Sequence, residues 1–470
     1  MWYNQSMEEK TVYICDNCGH KEPKWTGRCP ECGTWNSFSE SKVSKKPVKL
    51  SKAQVTKIAP VTLAECGISD NSRIFSGLEE IDRVLGGGIM RGSSIMIGGE
   101  PGIGKSTLML QTASMIAENN KVLYISGEES AEQIKQRADR LLIKSKALEI
   151  LCETSLENVL SVLEKGKYDF VVLDSIQTMT SAEIGNTPGT PNQLKYCCGM
   201  LTDWAKQYNK VVMMIAHVTK DGLIAGPKTI EHMVDTVLYF ESSGTDLRIV
   251  RAAKNRFGSI DEFGLFQMKH EGLVQIKNPE TVFLNIRDGK EVPPGVSIAP
   301  VFEGTRVFLV EIQALTVPAK SGISRIFSDK IDTSVISRIA AILEKHCRLK
   351  FSDHDIYVNV AGGIRIRDVG TDLAIALTLY SARTGIPIPS GIIASGELSL
   401  TGEVLKVNNL QGREKSAEEF GFKTFVAPAG IKEGKNVLGI KYQGVKFITE
   451  GIKAVFGSAT SRAPEDMGTQ

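Results

Sequence analysis

The sequence predicts an α/β protein. A parallel sheet covered by helices on both faces forms its central unit, preceded by a small cysteine-rich unit and followed by an α+β unit. Three observations carry this reading. Short apolar or β-branched runs alternate with longer helix-like stretches between about residues 72 and 275, as strands joined by helical crossovers require. Four of the nine cysteines fall within residues 15–32. Beyond about residue 285, two strand-like runs and three helix-like stretches form a separate pattern.

Length and composition set the frame. At about 150 residues per domain, a chain of 470 residues suggests three domains. A 42% share of hydrophobic residues fills more than one core and excludes a disordered, collagen-like or coiled-coil chain. No window of 18 uncharged apolar residues occurs, so no membrane span is expected. Met1 to Lys10 lacks the basic-then-apolar pattern of a secretion signal. The cysteines are odd in number and clustered, which suits one metal site in a reducing, cytoplasmic compartment better than a disulfide framework. A net charge of +2 gives no support by itself for a nucleic-acid partner, but the sum averages unlike segments. A lysine-only stretch is offset by acidic ones such as Glu128–Glu132.

The first element spans residues 1–40. Cys15-Asp-Asn-Cys18 and Cys29-Pro-Glu-Cys32 are two C-x-x-C knuckles ten residues apart, the pattern of a tetrahedral Zn²⁺ site closed by four thiolates and therefore structural. The alternative, a redox pair, is disfavoured by two pairs so close together. Trp25 and Trp35 are expected to pack over the site. Residues 41–70 follow as a basic linker. Six lysines (Lys42, Lys45, Lys46, Lys49, Lys52, Lys57) and no acid between residues 41 and 60 read equally as a phosphate contact or a solvated spacer.

The second large element spans residues 71–284. Strands are expected at Ser94–Gly98, Val122–Ser126, Phe170–Asp174, Val211–Ala216, Thr236–Phe240 and Leu247–Ala253, with helices such as Ser106–Ala117 and Gln193–Gln207. The segment 254–259, KNRFGS, interrupts the pattern, which resumes as a strand at Glu262–Lys269. Gly99-Glu100-Pro101-Gly102-Ile103-Gly104-Lys105-Ser106 fits G-x-x-x-x-G-K-[ST] between an apolar strand and a helix, the context a phosphate-binding loop needs. Its glycines let backbone N–H groups face phosphates. Lys105 is placed to reach the β- and γ-phosphates of ATP, Ser106 to ligate Mg²⁺, and Thr107 to support them. Asp174 ends a wholly apolar strand, where an acid holds Mg²⁺ through water. Glu128 is the better candidate for the general base that polarises the attacking water, with Glu129 as the alternative. His217 follows the strand Val211–Ala216, either to sense the γ-phosphate or to satisfy a strand end.

These residues together resemble the RadA (Sms) DNA repair protein family. The resemblance rests on CDNCG…CPECGTWN, FSGLEEIDRVLGGGIMRGS, GEPGIGKST, YISGEES, HVTKDGLIAGPKTIEHMVDTVLYFE and KNRFGS, in order along nearly the whole chain. It implies a RecA-like P-loop ATPase core that assembles as a homo-oligomeric ring, a hexamer like the replicative helicase DnaB. It also implies binding of single-stranded and branched DNA, branch migration of recombination intermediates, and a RecA-type recombinase partner. Lys254 and Arg256 of KNRFG would then act across a subunit boundary, on a neighbour's γ-phosphate or in coupling it to DNA; from the residues alone a structural turn with two solvated cations is the preferred reading. Ile176–Asn192 and Thr219–Thr229, the latter with Lys220 and Lys228, are candidate DNA loops.

Residues 285–457 form the third element, with strands expected at Arg306–Leu315 and Ile356–Val360 and helices at Thr333–His346, Thr371–Arg383 and Gln411–Phe420; residues 458–470 are a polar tail. VNVAGGIRIRDVGTDLAIALTL and LSLTGEVLKVNNLQGREKSAEEFGF resemble the proteolytic domain of Lon. Lon-type hydrolysis uses a serine nucleophile and a lysine base. Those positions fall here on Thr371 and Gln411, and Gln411 cannot accept a proton, so a non-proteolytic platform is expected. Arg365 and Arg367, two apart on an expected strand, share a face and are candidate phosphate contacts. Two other functions stay open: a KaiC-like regulatory ATPase switch and, less favoured, an ATP-dependent Lon-type protease.

Overall fold

The computed structural model describes residues 10–15, 20–31, 33–43, 62, 72–184, 188–217, 229–242, 246–276, 279, 282–284, 292–320, 324–430 and 439–457. The chain divides into two compact units, residues 1–242 with 248–275, and residues 243–247 with 276–470. Among the described residues no helix is long and apolar enough to cross a membrane.

The first unit opens with a three-stranded sheet in which β1 (Lys10–Cys15) lies between β2 (Lys21–Glu22) and β3 (Phe38–Val43). Cys15, Cys29 and Phe38 form its small core with Tyr13 against them. Cys18 and Cys32 lie outside the described residues. Two expectations change here. Trp25 and Trp35 do not cover the cysteines; they are 53% and 69% exposed, with the Arg28 guanidinium over the Trp35 ring at 5.7 Å. The linker also begins later than expected, because Lys42 and Val43 still pair with Thr11 and Lys10.

A short hairpin, β4 (Arg73–Ile74) with β5 (Ile89–Met90), brackets α1 (Glu79–Val84). The main sheet follows: β6 (Ser94–Gly99), α2 (Lys105–Ile116), β7 (Val122–Ser126), α3 (Ala131–Arg140), β8 (Leu148–Cys152), α4 (Leu156–Gly166), β9 (Phe170–Asp174), α5 (Pro191–Tyr208), β10 (Val211–His217), α6 (Thr229–Met233), β11 (Thr236–Ser242), β12 (Leu247–Asn255), β13 (Phe263–Lys269) and β14 (Gly272–Gln275). Its order is β14-β13-β12-β11-β6-β10-β9-β7-β8. The strands from β11 to β8 run parallel, while β12 pairs antiparallel with β11, and β14 antiparallel with β13. Adjacent residues of one strand feed opposite cores. Ile95 and Ile97 belong to one cluster and Met96 to the other; the same split separates Val172 from Leu173 and Met213 from Met214. This is why these strands read as continuous apolar runs rather than alternating ones. The helices start where the local chemistry predicts. Ser130 and Gln133 form a reciprocal capping box on α3, Ser155 caps α4, and Pro191 opens α5.

β8 escapes the sequence reading because it is an edge strand of mostly exposed or half-buried residues. The KNRFGS segment does not interrupt β12 at its start; the strand runs on through Lys254 and Asn255, with a bulge in the pairing between Val237 and Leu238.

In the second unit, β15 (Val296–Glu303), β16 (Arg306–Pro318), β17 (Ile326–Phe327) and β18 (His354–Val360) form a sheet ordered β15-β16-β18-β17. The helices are α7 (Thr333–Cys347), α8 (Asp372–Thr384), α9 (Leu410–Glu419) and α10 (Ile448–Phe456). Two further parallel pairings join Ile392–Ala394, Thr424–Pro428 and Lys441–Val445. α8 is apolar nearly all round and lies buried from Asp372 to Ser381, as an all-apolar helix must. Arg413 is 1% exposed. Its guanidinium grips Asp368 through two hydrogen bonds of 2.6 and 3.0 Å and donates through Nε to the Asn408 carbonyl at 2.9 Å. Removing one partner strands a buried charge, so Arg413→Ala is expected to cost about 3–5 kcal/mol. Urea unfolding of the full chain checks this; an unchanged midpoint for the second unit's transition contradicts it.

Candidate functional site

The residues predicted to bind nucleotide converge because of the strand order. From β6 the chain crosses through α2 to β7, which lies beyond β10 and β9, so a crevice opens at the carboxyl ends of these strands. Gly99 pairs with His217 across one ladder, and Ser126 with Asp174 across another, so their side chains or loops share that edge.

The loop from Glu100 to Gly104 owes its path to glycine. Gly102 and Gly104 sit at φ +77° and +113°, where side chains are strained. A Cβ at Gly104 would stand 2.7 Å from the Met268 methyl, and one at Gly99 2.7 Å from the Phe240 carbonyl. Pro101 and Gly102 face solvent, Ile103 is buried, and Ser106 and Thr107 are half-buried at the start of α2. Lys105 is buried and donates to the carbonyls of Gly99 at 2.7 Å and Glu100 at 2.8 Å. Burial pushes its ammonium below the usual lysine range, opposed by the carboxylates of Asp174, Glu128 and Glu100.

Asp174 is buried and accepts a 2.6 Å hydrogen bond from the Tyr124 hydroxyl. Burial, with the charge of Asp174, holds that phenol well above its ordinary range, so Tyr124 remains a donor. Glu128 projects from the loop after β7. Burial alone would raise its carboxyl, but hydrogen bonds from Ser175 and His217, with the nearby charge of Lys105, pull it below the ordinary value. The His217 Nε2 lies 3.1 Å from Glu128, and its buried Nδ1 has no hydrogen-bond partner among the described residues. Glu129 is turned elsewhere: its carboxylate pairs with Arg137 and its amide donates to Ser126 at 2.9 Å. The geometry therefore favours Glu128 over Glu129 as the ionised carboxylate beside the crevice.

Lys254 and Arg256 lie at the other edge of the same sheet. Asn255 pairs with Thr236, and Thr236 with Ile95, near the start of β6. Lys254 donates to the carbonyls of Glu231 at 3.1 Å, His232 at 3.1 Å and Val234 at 2.7 Å, which commits all three of its protons to the end of α6. Burial, then the charge of Arg256, lowers its pKa. Arg256 is 57% exposed and pairs with the buried Asp235 at 3.3 Å. The motif is also locked to the glycines after α1. Arg73 donates to the Leu85, Gly88 and Phe257 carbonyls, Asn255 to the Val84 carbonyl, and a Cβ at Gly258 would stand 2.8 Å from Gly86 Cα.

The remaining candidates separate. Lys220 and Lys228 lie outside the described residues. The loop Ile176–Asn192 leaves the C-terminal end of β9 with short 3₁₀ turns at Ile176–Thr178 and Ala182–Ile184. Arg365 and Arg367 are exposed while Ile364 and Ile366 are buried, so the two arginines do share a face. No strand forms there, however; the segment is extended and held by the Ile366 amide on the Lys330 carbonyl. Thr371 is buried and donates its hydroxyl to the Asp368 carbonyl at 2.7 Å, while Gln411 is exposed. No nucleophile and base meet at these positions. Cys15 and Cys29 share one core, with Ser37 Oγ 3.2 Å from Cys15 Sγ.

Tyr124, Ser175 and Asp235 carry site contacts that sequence reasoning passed over. The signals were present: a hydroxyl inside an apolar strand, a serine directly after the strand-end acid, and a lone acid before the apolar run of β11.

Comparisons with known proteins agree with this arrangement. A family model described as AAA domain matches residues 68–223, one described as rubredoxin metal binding domain matches residues 13–40, and one described as subunit ChlI of Mg-chelatase matches residues 326–431. The chain is 51% identical over 430 residues to DNA repair protein RadA of Treponema pallidum (strain Nichols), covering 91% of this chain and 94% of that protein. It is 42% identical over 457 residues to DNA repair protein RadA of Bacillus subtilis (strain 168), covering 95% and 99%. It is 41% identical over 435 residues to DNA repair protein RadA of Brucella abortus (strain 2308), covering 90% and 93%. A crystal structure of the RadB recombinase aligns with 43% of the chain and 100% of its own, at 22% identity and a TM-score of 0.36.

Proposed function

Because the chain belongs to the family of DNA repair protein RadA, we propose that it is a DNA-dependent ATPase motor of recombinational repair, a ring-shaped, hexameric translocase. On this reading it binds single-stranded and branched DNA, works beside a RecA-type recombinase, and promotes branch migration. One observation carries the proposal. The phosphate loop and the KNRFG cations occupy opposite edges of one sheet. From Ile95, beside Thr236 and Asn255, to Gly99 is four residues, about 13 Å at about 3.3 Å per residue. A cation on that edge serves a phosphate only on another copy of the chain, so hydrolysis becomes a property of the assembly.

The residues fit the groups this activity needs. Gly99, Gly102, Gly104 and the amides opening α2 form the phosphate cradle, with Glu100, Pro101 and Ile103 shaping it, and Lys105 beside it for the β- and γ-phosphates. Ser106 and Asp174 offer the hard oxygen donors Mg²⁺ prefers, and Tyr124 fixes the orientation of Asp174. Bound Mg²⁺ neutralises phosphate charge during transfer. Glu128, kept ionised by Ser175 and His217, accepts the proton of the attacking water. His217, bonded to Glu128, is placed to sense the state of the nucleotide. In the N-terminal ribbon, Cys15, Cys18, Cys29 and Cys32 supply a thiolate shell suited to Zn²⁺, with Cys15 and Cys29 already in one buried cluster.

The Lon-like reading of residues 285–457 is that of a platform without proteolysis, supported by the Thr371 hydroxyl being committed to the Asp368 carbonyl and by Gln411, an amide that cannot accept a proton, standing where a base is needed. The test is ATP hydrolysis with and without single-stranded oligonucleotide. Several-fold stimulation is expected. An unchanged rate and unchanged nucleotide affinity would contradict the motor and favour a KaiC-like regulatory switch.

A further inference from the structure

We infer that Asp235 is a positioning residue: it holds Arg256 on the rim of the subunit for use at a neighbour's nucleotide and ties that arginine to the strand carrying this subunit's own phosphate loop. The inference rests on the reading of Arg256 as acting in trans.

Asp235 lies between α6 and β11 and is 3% exposed. Its two oxygens face different structures. Oδ2 accepts from both the backbone N–H and the hydroxyl of Ser94, each at 3.0 Å, and Ser94 is the first residue of β6. Oδ1 faces the Arg256 guanidinium at 3.3 Å and the Lys206 ammonium at 3.8 Å. Backbone bonds close the joint, from the Asp235 amide to the Ser94 carbonyl at 3.0 Å and from the Arg256 amide to the Asp235 carbonyl at 3.3 Å.

The division of labour follows from chemistry. The Ser94 side asks only for an acceptor, which a neutral amide supplies equally well. The other side gathers three cations, Lys206, Lys254 and Arg256, around one buried carboxylate. Only a negative charge keeps Arg256 there, because without it the neighbouring ammonium groups repel the guanidinium outward. Lys254 is already spent on the carbonyls of Glu231, His232 and Val234, so it fixes the chain entering Asp235 rather than reaching beyond the subunit. Arg256 is anchored at one nitrogen while its side chain stays 57% exposed, which is the state of a group held ready for a partner surface. An anchored cation gains its effect from placement, and small misplacements of such groups lower rates steeply.

The full-length Asp235→Asn variant keeps the Ser94 bonds and the side-chain shape but loses the charge. We expect kcat for ATP hydrolysis to fall at least tenfold while KM for ATP and the affinity for nucleotide stay within twofold, since its own phosphate loop is intact. The deciding measurement uses mixed oligomers, co-expressed with two affinity tags. Lys105→Ala subunits have an impaired phosphate loop and a sound Arg256; Asp235→Asn subunits have the reverse. Their mixture is expected to hydrolyse ATP faster than the sum of its parts, which a merely misfolded variant does not do. Arg256→Ala mixed with Lys105→Ala runs in parallel. If that control mixture gains activity and the Asp235→Asn mixture does not, Asp235 acts within its own subunit and the inference is overturned while the trans reading stands. If the control mixture gains nothing, the trans reading falls and takes the inference with it. Wild-type kcat in Asp235→Asn overturns it directly. Should Asp235→Asn fail to fold, Asp235→Glu takes its place: it keeps Arg256 paired but one methylene out of position. Its kcat is then expected to fall by less than in Arg256→Ala and to recover in the mixture with Lys105→Ala. A loss that the mixture does not restore while the control mixture gains overturns the inference.

Discussion

Replacing Lys105 by alanine is expected to reduce ATP turnover by a factor on the order of 10³ while the chain stays folded. The ammonium is buried at the mouth of the crevice, held by the carbonyls of Gly99 and Glu100 and facing the carboxylates of Asp174, Glu128 and Glu100. A charge in a partly dry pocket acts at low effective dielectric and stabilises developing phosphate charge more than a solvated one does. Its loss also removes the counterion for three acids, so phosphate binding weakens together with the chemical step. The fold tolerates the change because the backbone glycines, not Lys105, set the loop's course, and Leu108, Met109 and Leu110 still fill the core beneath α2. ATP hydrolysis and a thermal melt measured together decide it. A variant that melts like wild type and hydrolyses at the wild-type rate means that the loop does not serve nucleotide turnover.

How far such a site is legible in the sequence depends on the range of its contacts. Lys105, Ser106 and Asp174 were readable because each belongs to a local pattern: a glycine loop between strand and helix, or an acid closing an apolar strand. The choice between Glu128 and Glu129 was not, because it is made by Arg137, one helix away, which captures Glu129, and by Ser175 and His217, from two other strands' ends, which hold Glu128. Trp25 and Trp35 show the converse error, in which residue type suggested burial but both rings stand exposed. Strands covered on both faces announced themselves as apolar runs, whereas β8, exposed at the sheet edge, carried no period to read. Arg365 and Arg367 kept their alternation without a ladder, since period 2 fixes facing but not pairing.

Arg256→Ala is the second large effect, and its signature differs from that of Lys105→Ala. The exposed guanidinium sits on the far rim of the sheet from its own phosphate loop, so nucleotide affinity is expected to remain while turnover falls by about a thousandfold or more, the range seen when a trans-acting arginine is withdrawn. Arg256→Lys is expected to recover little, because an ammonium offers no planar fork. The DNA response separates this from a local defect. If single-stranded DNA accelerates the wild type by ordering neighbouring subunits, it has nothing to align in Arg256→Ala, whose rate stays flat across oligonucleotide and protein concentration. A variant with weakened nucleotide binding but normal stimulation by DNA would place Arg256 in its own subunit's site, against the separation of the two edges. Wild-type turnover would return the KNRFG cations to a structural role, with Lys254 closing α6 and Arg256 merely balancing Asp235.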